Sequence, residues 1–122
     1  MQANGELGRV TVAPEVLLTI VRQTTLSVDG VARLYATWPE NIGKLFGIHT
    51  ATEGIGVQIE NEELIIDVHI VADPEAQMVE LGRELQREIS RSIEEIVGLN
   101  VRAVNVHIED VDVGSDSDEG VA

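Results

Sequence analysis

Two pairs of polar residues are the side chains best placed for chemistry in this sequence. Asp67 and His69 are separated by one apolar residue, and so are Asn105 and His107. Because side chains alternate across a strand, each pair projects from the face opposite to its apolar neighbours, and the two histidines can become neighbours across strands. Two imidazoles and a carboxylate suit a metal ion, so Asp67, His69 and His107 form a candidate metal site. Simple strand alternation dictates no ligand geometry, so a solvated polar sheet face is the favoured interpretation.

A second candidate region, residues 32–54, contains all three aromatic side chains of the chain, namely Tyr35, Trp38 and Phe46. Exposed aromatic residues dominate binding hot spots, whereas buried ones close the end of a small core. The core interpretation is favoured for Phe46. For Trp38 two interpretations are equally favoured, a residue at the edge of the core and a residue that contacts a partner. The candidate partner-binding residues are therefore Tyr35, Trp38, His69, Asn105 and His107.

No sequence pattern supports catalysis. The chain has no cysteine, which excludes disulfides, thiolate zinc sites and thiol nucleophiles. No serine lies in nucleophile-elbow spacing. Gly54 and Gly56 precede a strand rather than a helix, and no lysine follows them in phosphate-loop spacing. We therefore predict a protein that is not an enzyme, with no catalytic residues and no cofactor.

The charge balance limits the partners. The formal net charge is −14, from 22 acidic and 8 basic residues. This excess repels phosphate backbones and anionic lipid headgroups, and the arginines of the second predicted helix alternate with glutamates, so no basic stripe supports RNA binding. No apolar run approaches the roughly 18 residues that span a bilayer. We expect a cytoplasmic protein without direct nucleic-acid binding or membrane insertion.

The elements that would position these side chains follow from hydrophobic periodicity. It predicts the order strand, helix, strand, strand, helix, strand. The first strand is predicted over Gly8–Val12, and the first helix from Pro14 to a turn at Gly30. A hairpin is predicted to join Ile55–Glu60 to the strand that begins at Leu64.

The second helix has the strongest end signals. Asp73 suits the N-cap, Pro74 the first helical position and Gly98 the C-terminal cap. The apolar stripes of the two helices are predicted to be Val16, Leu17, Ile20, Val21 and Thr24, and then Met78, Leu81, Leu85, Ile89, Ile93 and Ile96. The last strand is predicted over Val101–Val113.

This β-α-β-β-α-β order packs most simply as an α+β two-layer sandwich, in which both helices cover one face of a four-stranded sheet. We predict one α/β domain over residues 8–113, between a disordered tail at 1–7 and an acidic disordered tail at 114–122.

Several segments together resemble the alkaline shock protein family, also described as envelope stress response proteins, of Gram-positive and related bacteria. They are GRVTV, APEVLLTIV, ELIIDVHIV and VRAVNVHIEDV, of which the last, containing Asn105, is the most telling. The resemblance implies a non-enzymatic, self-assembling cytoplasmic protein linked to cell-envelope homeostasis, which in some members is recruited to the membrane by a separate anchor protein.

Two hypotheses follow. The first is a scaffold or interaction module whose partner is another protein, including a membrane-anchored one, or a second copy of the chain. The alternative is a small metal- or ligand-binding protein that uses Asp67, His69 and His107.

Overall fold

The computed structural model of the protein describes residues 2–5, 7–35 and 50–114. Its elements are β1 Gln2–Gly5, β2 Gly8–Thr11, α1 Pro14–Ser27, β3 Val31–Leu34, β4 Thr50–Thr52, β5 Ile55–Glu60, β6 Glu63–Ala72, α2 Met78–Ser92 with a π-helical turn Ile93–Val97, and β7 Val101–Val111. Strands β3 to β7 form one five-stranded sheet. The predicted α+β fold class is confirmed, since both helices pack against this sheet in a single core.

Strand β6 is the centre of the sheet. It pairs in parallel with β7 on one edge and antiparallel with both β3 and β5 on the other. At His69 the N–H donates to the Gly54 carbonyl at 2.7 Å, and the C=O accepts from the Tyr35 N–H at 2.9 Å. Both groups of one residue point to the same side, so β3 and β5 lie end to end along β6. Strand β4 pairs outside β5.

The core lies between the helices and one face of the sheet. As predicted, Ile66, Val68 and Ile70 point into it and are fully buried. The helical side chains that join them are Leu17, Val21 and Thr25 from α1, and Leu81, Leu85 and Ile89 from α2. The buried stripe of α1 is therefore rotated about the helix axis relative to the predicted stripe. Val16 is exposed, and Thr25 is buried in place of Thr24. The Thr25 hydroxyl is satisfied by the Val21 carbonyl at 2.7 Å.

The second helix differs from the prediction at both ends. Its regular part begins at Met78, because Asp73 and Pro74 form a turn in which the Ala76 N–H bonds the Asp73 carbonyl at 3.0 Å. At the other end Gly98 is left-handed and caps as predicted, but its N–H bonds to Ile93, five residues back. This π-helical turn shifts the helical phase. Ile96, predicted to be buried, is consequently 68% exposed.

The N-terminal strand does not join the main sheet. The strand predicted at residues 8–12 forms as Gly8–Thr11, but it pairs with Gln2–Gly5, which was predicted to lie in a disordered tail. Backbone hydrogen bonds hold such a hairpin, so no apolar alternation was needed in Gln2–Gly5. The main sheet instead gains β3 and β4, which were not predicted, and has five strands rather than four. Three features named in the sequence analysis lie outside the described residues. They are Trp38, Phe46 and the acidic tail that follows Gly114.

The β5–β6 turn allows a test of backbone strain. Asn61 and Glu62 both have positive φ, 52° and 66°, as in the turn type that favours glycine at its second central position. We expect Glu62→Gly to raise the free energy of unfolding by about 0.5–1 kcal/mol, because glycine adopts this conformation without steric cost. Thermal melts of Glu62→Gly and of the control Glu63→Gly, which belongs to β6, measure this. An equal effect of both changes would contradict the strain argument.

Candidate functional site

The parallel pairing of β6 with β7 sets the two polar pairs side by side. Asp67 is in register with Asn105, and His69 with His107. Their apolar neighbours in β6 are buried beneath the helices, so these four side chains lie on the opposite, outer face of the sheet. The structure thus brings together all the polar-face residues that the sequence singled out.

These side chains form a connected hydrogen-bond network. Asp67 Oδ1 accepts from Asn105 Nδ2 at 3.1 Å and from His107 Nε2 at 3.3 Å. The two imidazole rings stack, with centroids 4.3 Å apart and planes inclined by 13°. His69 Nδ1 donates to Glu109 Oε2 at 2.6 Å. Each ring is therefore oriented both by a carboxylate and by the other ring.

Glu109 is the member of the network that sequence reasoning missed. Its position two residues after His107 was the available indication, since alternation places both on one face. Glu109 is also an extra, bulged residue of β7, because Ile70 pairs with Ile108 and Val71 with Asp110. No periodicity argument predicts that bulge.

The network remains accessible to a partner. The His107 side chain is 45% exposed and that of Asp67 is 20% exposed, whereas His69 is the most covered at 17%. The face offers carboxylate oxygens as acceptors and imidazole and amide groups as donors, on a rigid strand pair. Such an arrangement can recognise polar groups of another molecule.

The geometry does not favour a metal ion at these histidines. The nitrogen lone pairs of an imidazole lie in the ring plane, so two nearly parallel stacked rings direct their nitrogens side by side rather than toward one point. Among the described residues, no three His, Cys, Asp or Glu side chains are grouped so as to hold a metal ion. The candidate set of Asp67, His69 and His107 is thus a hydrogen-bonded group in this structure.

Of the two aromatic candidates, the structure locates Tyr35. It is half-buried just after β3, and its N–H bonds the His69 carbonyl, so it lies beside the strand that carries the network. Trp38 falls outside the described residues. In the described part of the chain, neither helix is long and apolar enough to cross a membrane.

Comparisons with known proteins add a family and a fold. The model of the alkaline shock protein family, described as having a cell envelope-related function, matches residues 2–113. The uncharacterized protein YqhY of Bacillus subtilis (strain 168) is 26% identical over 102 residues, covering 84% of this chain and 76% of that protein. The uncharacterized protein YloU of the same organism is 18% identical over 108 residues, covering 87% and 90%.

Solved structures of the MamM CTD share the fold. Its copper form aligns with a TM-score of 0.55 and 15% identity, covering 84% of this chain and 90% of that one. A variant of the same domain aligns with a TM-score of 0.52 and 14% identity, covering 86% and 88%. At these identities the similarity shows a common fold and carries no ligand or residue role.

Proposed function

Because the chain belongs to the alkaline shock protein family, whose function is cell envelope-related, we propose that it is a non-enzymatic interaction module that binds proteins through the outer face of its sheet. Membership confirms the resemblance seen in the sequence. The scaffold role, the partner and the binding residues are parts of the proposal.

The observation that carries the proposal is the organised but accessible network on the outer face. Both helices cover the other face, so the core does not require Asp67, His69, Asn105 or His107. Ordering exposed side chains costs conformational entropy, and their mutual hydrogen bonds offset that cost before a partner arrives. A preorganised polar patch is what an interface rim or a specific docking face needs.

The first partner we propose is a second copy of the chain. A partner anchored in the membrane is a further part of the proposal, since a net charge of −14 opposes direct contact with anionic lipid. Under this proposal the protein acts in the cytoplasm and reaches the envelope only through such a partner. No cofactor is involved.

The test measures the self-association of the full chain. Its molar mass is determined by light scattering after size exclusion, over a range of micromolar concentrations. We expect a concentration-dependent oligomer for the wild type. For the double variant Asn105→Ala, His107→Ala we expect about tenfold weaker association, which corresponds to a loss of about 1.4 kcal/mol of binding free energy. Gln23→Ala, an exposed polar change on α1, is the control and should associate like the wild type. Both variants should melt cooperatively near the wild-type temperature, because neither alters the core.

Two results would count against the proposal. A wild type that remains monomeric at every concentration would remove self-association from it. Equal association of the double variant and the Gln23→Ala control would show that the outer face is not the contact surface.

A further inference from the structure

The stacked histidines of the outer face leave one flat ring surface open. His69 and His107 stack with centroids 4.3 Å apart, so each ring covers one face of the other. His69 belongs to the central strand β6, whereas His107 belongs to β7, which pairs only with β6 among the described strands. The His107 side chain is 45% exposed, against 17% for His69. The second face of the His107 ring is therefore available to a planar group of another molecule.

Two carboxylates lie beside this ring stack. Asp67 Oδ1 accepts from His107 Nε2 at 3.3 Å, and Glu109 Oε2 accepts from His69 Nδ1 at 2.6 Å. For the second oxygen of each carboxylate, Asp67 Oδ2 and Glu109 Oε1, the described residues provide no hydrogen-bond donor. The side chains of Asp67 and Glu109 are 20% and 35% exposed. Unused acceptor oxygens thus remain within reach of solvent beside the open ring.

The negative charge of these carboxylates is not balanced by a permanent positive charge. Imidazole and amide groups donate to Asp67 and Glu109, but no Arg or Lys among the described residues forms an ion pair with either. The arginine of the neighbouring strand β3, Arg33, pairs with Asp112 instead, at 3.5 Å. A cation supplied by another molecule would therefore find unused acceptors and an uncompensated charge here.

A guanidinium group matches both the open ring and the carboxylates. It is planar and always charged, it stacks on aromatic faces, and it donates parallel N–H groups to carboxylate oxygens. The ammonium group of lysine has the same charge but is a compact point charge on a flexible stem. A neutral aromatic group would stack but would leave the carboxylates without a cation. The two features together therefore favour arginine.

We infer that the outer face binds an arginine side chain of a partner protein, with the guanidinium stacked on the open face of the His107 ring. Its N–H groups donate to the unused oxygen of Glu109, and Asp67 adds negative charge from the neighbouring strand. This inference rests on the proposed function, because it names the partner chemistry of the face proposed there.

The arginine comes from a basic segment of a different protein rather than from a second copy. This chain has only 8 Lys and Arg residues against 22 Asp and Glu residues. Four of its arginines already form ion pairs with carboxylates of their own chain, namely Arg33, Arg87, Arg91 and Arg102. A basic segment of another protein carries unpaired guanidinium groups, and the net charge of −14 attracts it.

The test is a titration of the full chain with a capped Gly-Arg-Gly tripeptide, followed by NMR. At about pH 8 histidine is in general uncharged, so the carboxylates determine the charge of the site. We expect saturable shifts of the His107 ring protons. We also expect upfield shifts of the arginine methylene protons of the peptide, because the ring current of an aromatic ring shields protons that lie above its face.

Two matched peptides separate charge from shape. Citrulline has the shape of arginine without its charge, so the citrulline tripeptide should bind about tenfold more weakly than the arginine tripeptide. The lysine tripeptide has the charge without the planar group, and it should bind about threefold more weakly.

Conservative variants locate the contacts on the protein. Glu109→Gln keeps an acceptor for His69 but removes the charge, and His107→Leu keeps apolar bulk but removes the ring. Each should weaken binding of the arginine tripeptide about tenfold. The control is Glu80→Gln, which removes the same charge from an exposed residue of α2 and should bind like the wild type.

The outcomes separate this inference from the proposed function. Equal binding of the three peptides, or equal binding by the Glu109→Gln and Glu80→Gln variants, would show general attraction to an acidic protein and overturn the inference. If the arginine tripeptide does not bind but the Asn105→Ala, His107→Ala variant still weakens self-association, the inference is wrong and the interaction module stands. If the tripeptide binds as expected but the double variant associates like the wild type, the inference is supported and self-association through this face fails.

Discussion

Leu85→Asp is expected to abolish cooperative folding. The Leu85 side chain is completely buried in the middle of α2, within the core cluster formed by both helices and the sheet. The change removes about 2–5 kcal/mol of apolar packing and buries a carboxylate for which the core provides no partner. Together these costs approach the whole stability of a typical domain, about 5–15 kcal/mol. Loss of the thermal transition in circular dichroism is the measurement.

Two further variants make this result interpretable. Val79→Asp lies on the same helix, but its side chain is 74% exposed, so its effect should stay within about 0.5 kcal/mol. Val104→Asp tests the opposite layer, since Val104 faces the helices from β7 and is buried, and it too should unfold the domain. Cooperative melting of both Leu85→Asp and Val104→Asp would mean that the assigned inward faces are wrong.

Gly54→Ala is expected to cost about 2–4 kcal/mol, although it adds only one methyl group. Gly54 has φ +76°, where a side chain is strained, and an added Cβ would lie 3.0 Å from the His69 carbonyl oxygen and 3.1 Å from that of Tyr35. Both contacts are with backbone, which cannot rotate away. The Gly54 carbonyl also accepts the His69 N–H at the point where β3 gives way to β5. The measurement is the free energy of unfolding from chemical denaturation.

The matched control is Gly98→Ala. Gly98 also has a positive φ, +85°, but an added Cβ would meet nothing within 4 Å. It should therefore show only the conformational cost of about 1 kcal/mol. Equal losses at both glycines would contradict a steric role for Gly54. A clearly larger loss at Gly54 than at Gly98 would identify the β3–β5 junction, which also adjoins the His69 backbone, as a rigid point of the sheet.

Local periodicity was enough to predict a well-defined part of this protein. The 3.6-residue and two-residue periods indicated α1, the hairpin of β5 and β6, and the inward direction of Ile66, Val68 and Ile70, because these patterns record which side chains avoid water. Alternation also placed the polar side chains of β6 and β7 on one face. Gly98 was identifiable as a cap because few other residues adopt its backbone conformation.

Apart from the β5–β6 hairpin, which strands are neighbours was settled by tertiary packing alone. The parallel pairing of β6 and β7 turned two separate polar pairs into one network and brought Glu109 to His69, and no local pattern records that pairing. The short strands β3 and β4 form because β6 and β5 offer them backbone partners, not because of their own alternation. The pairing of β1 with β2 rather than with the main sheet has the same origin. Strand order is fixed by long-range packing and chain connectivity, which a period read along the sequence does not contain.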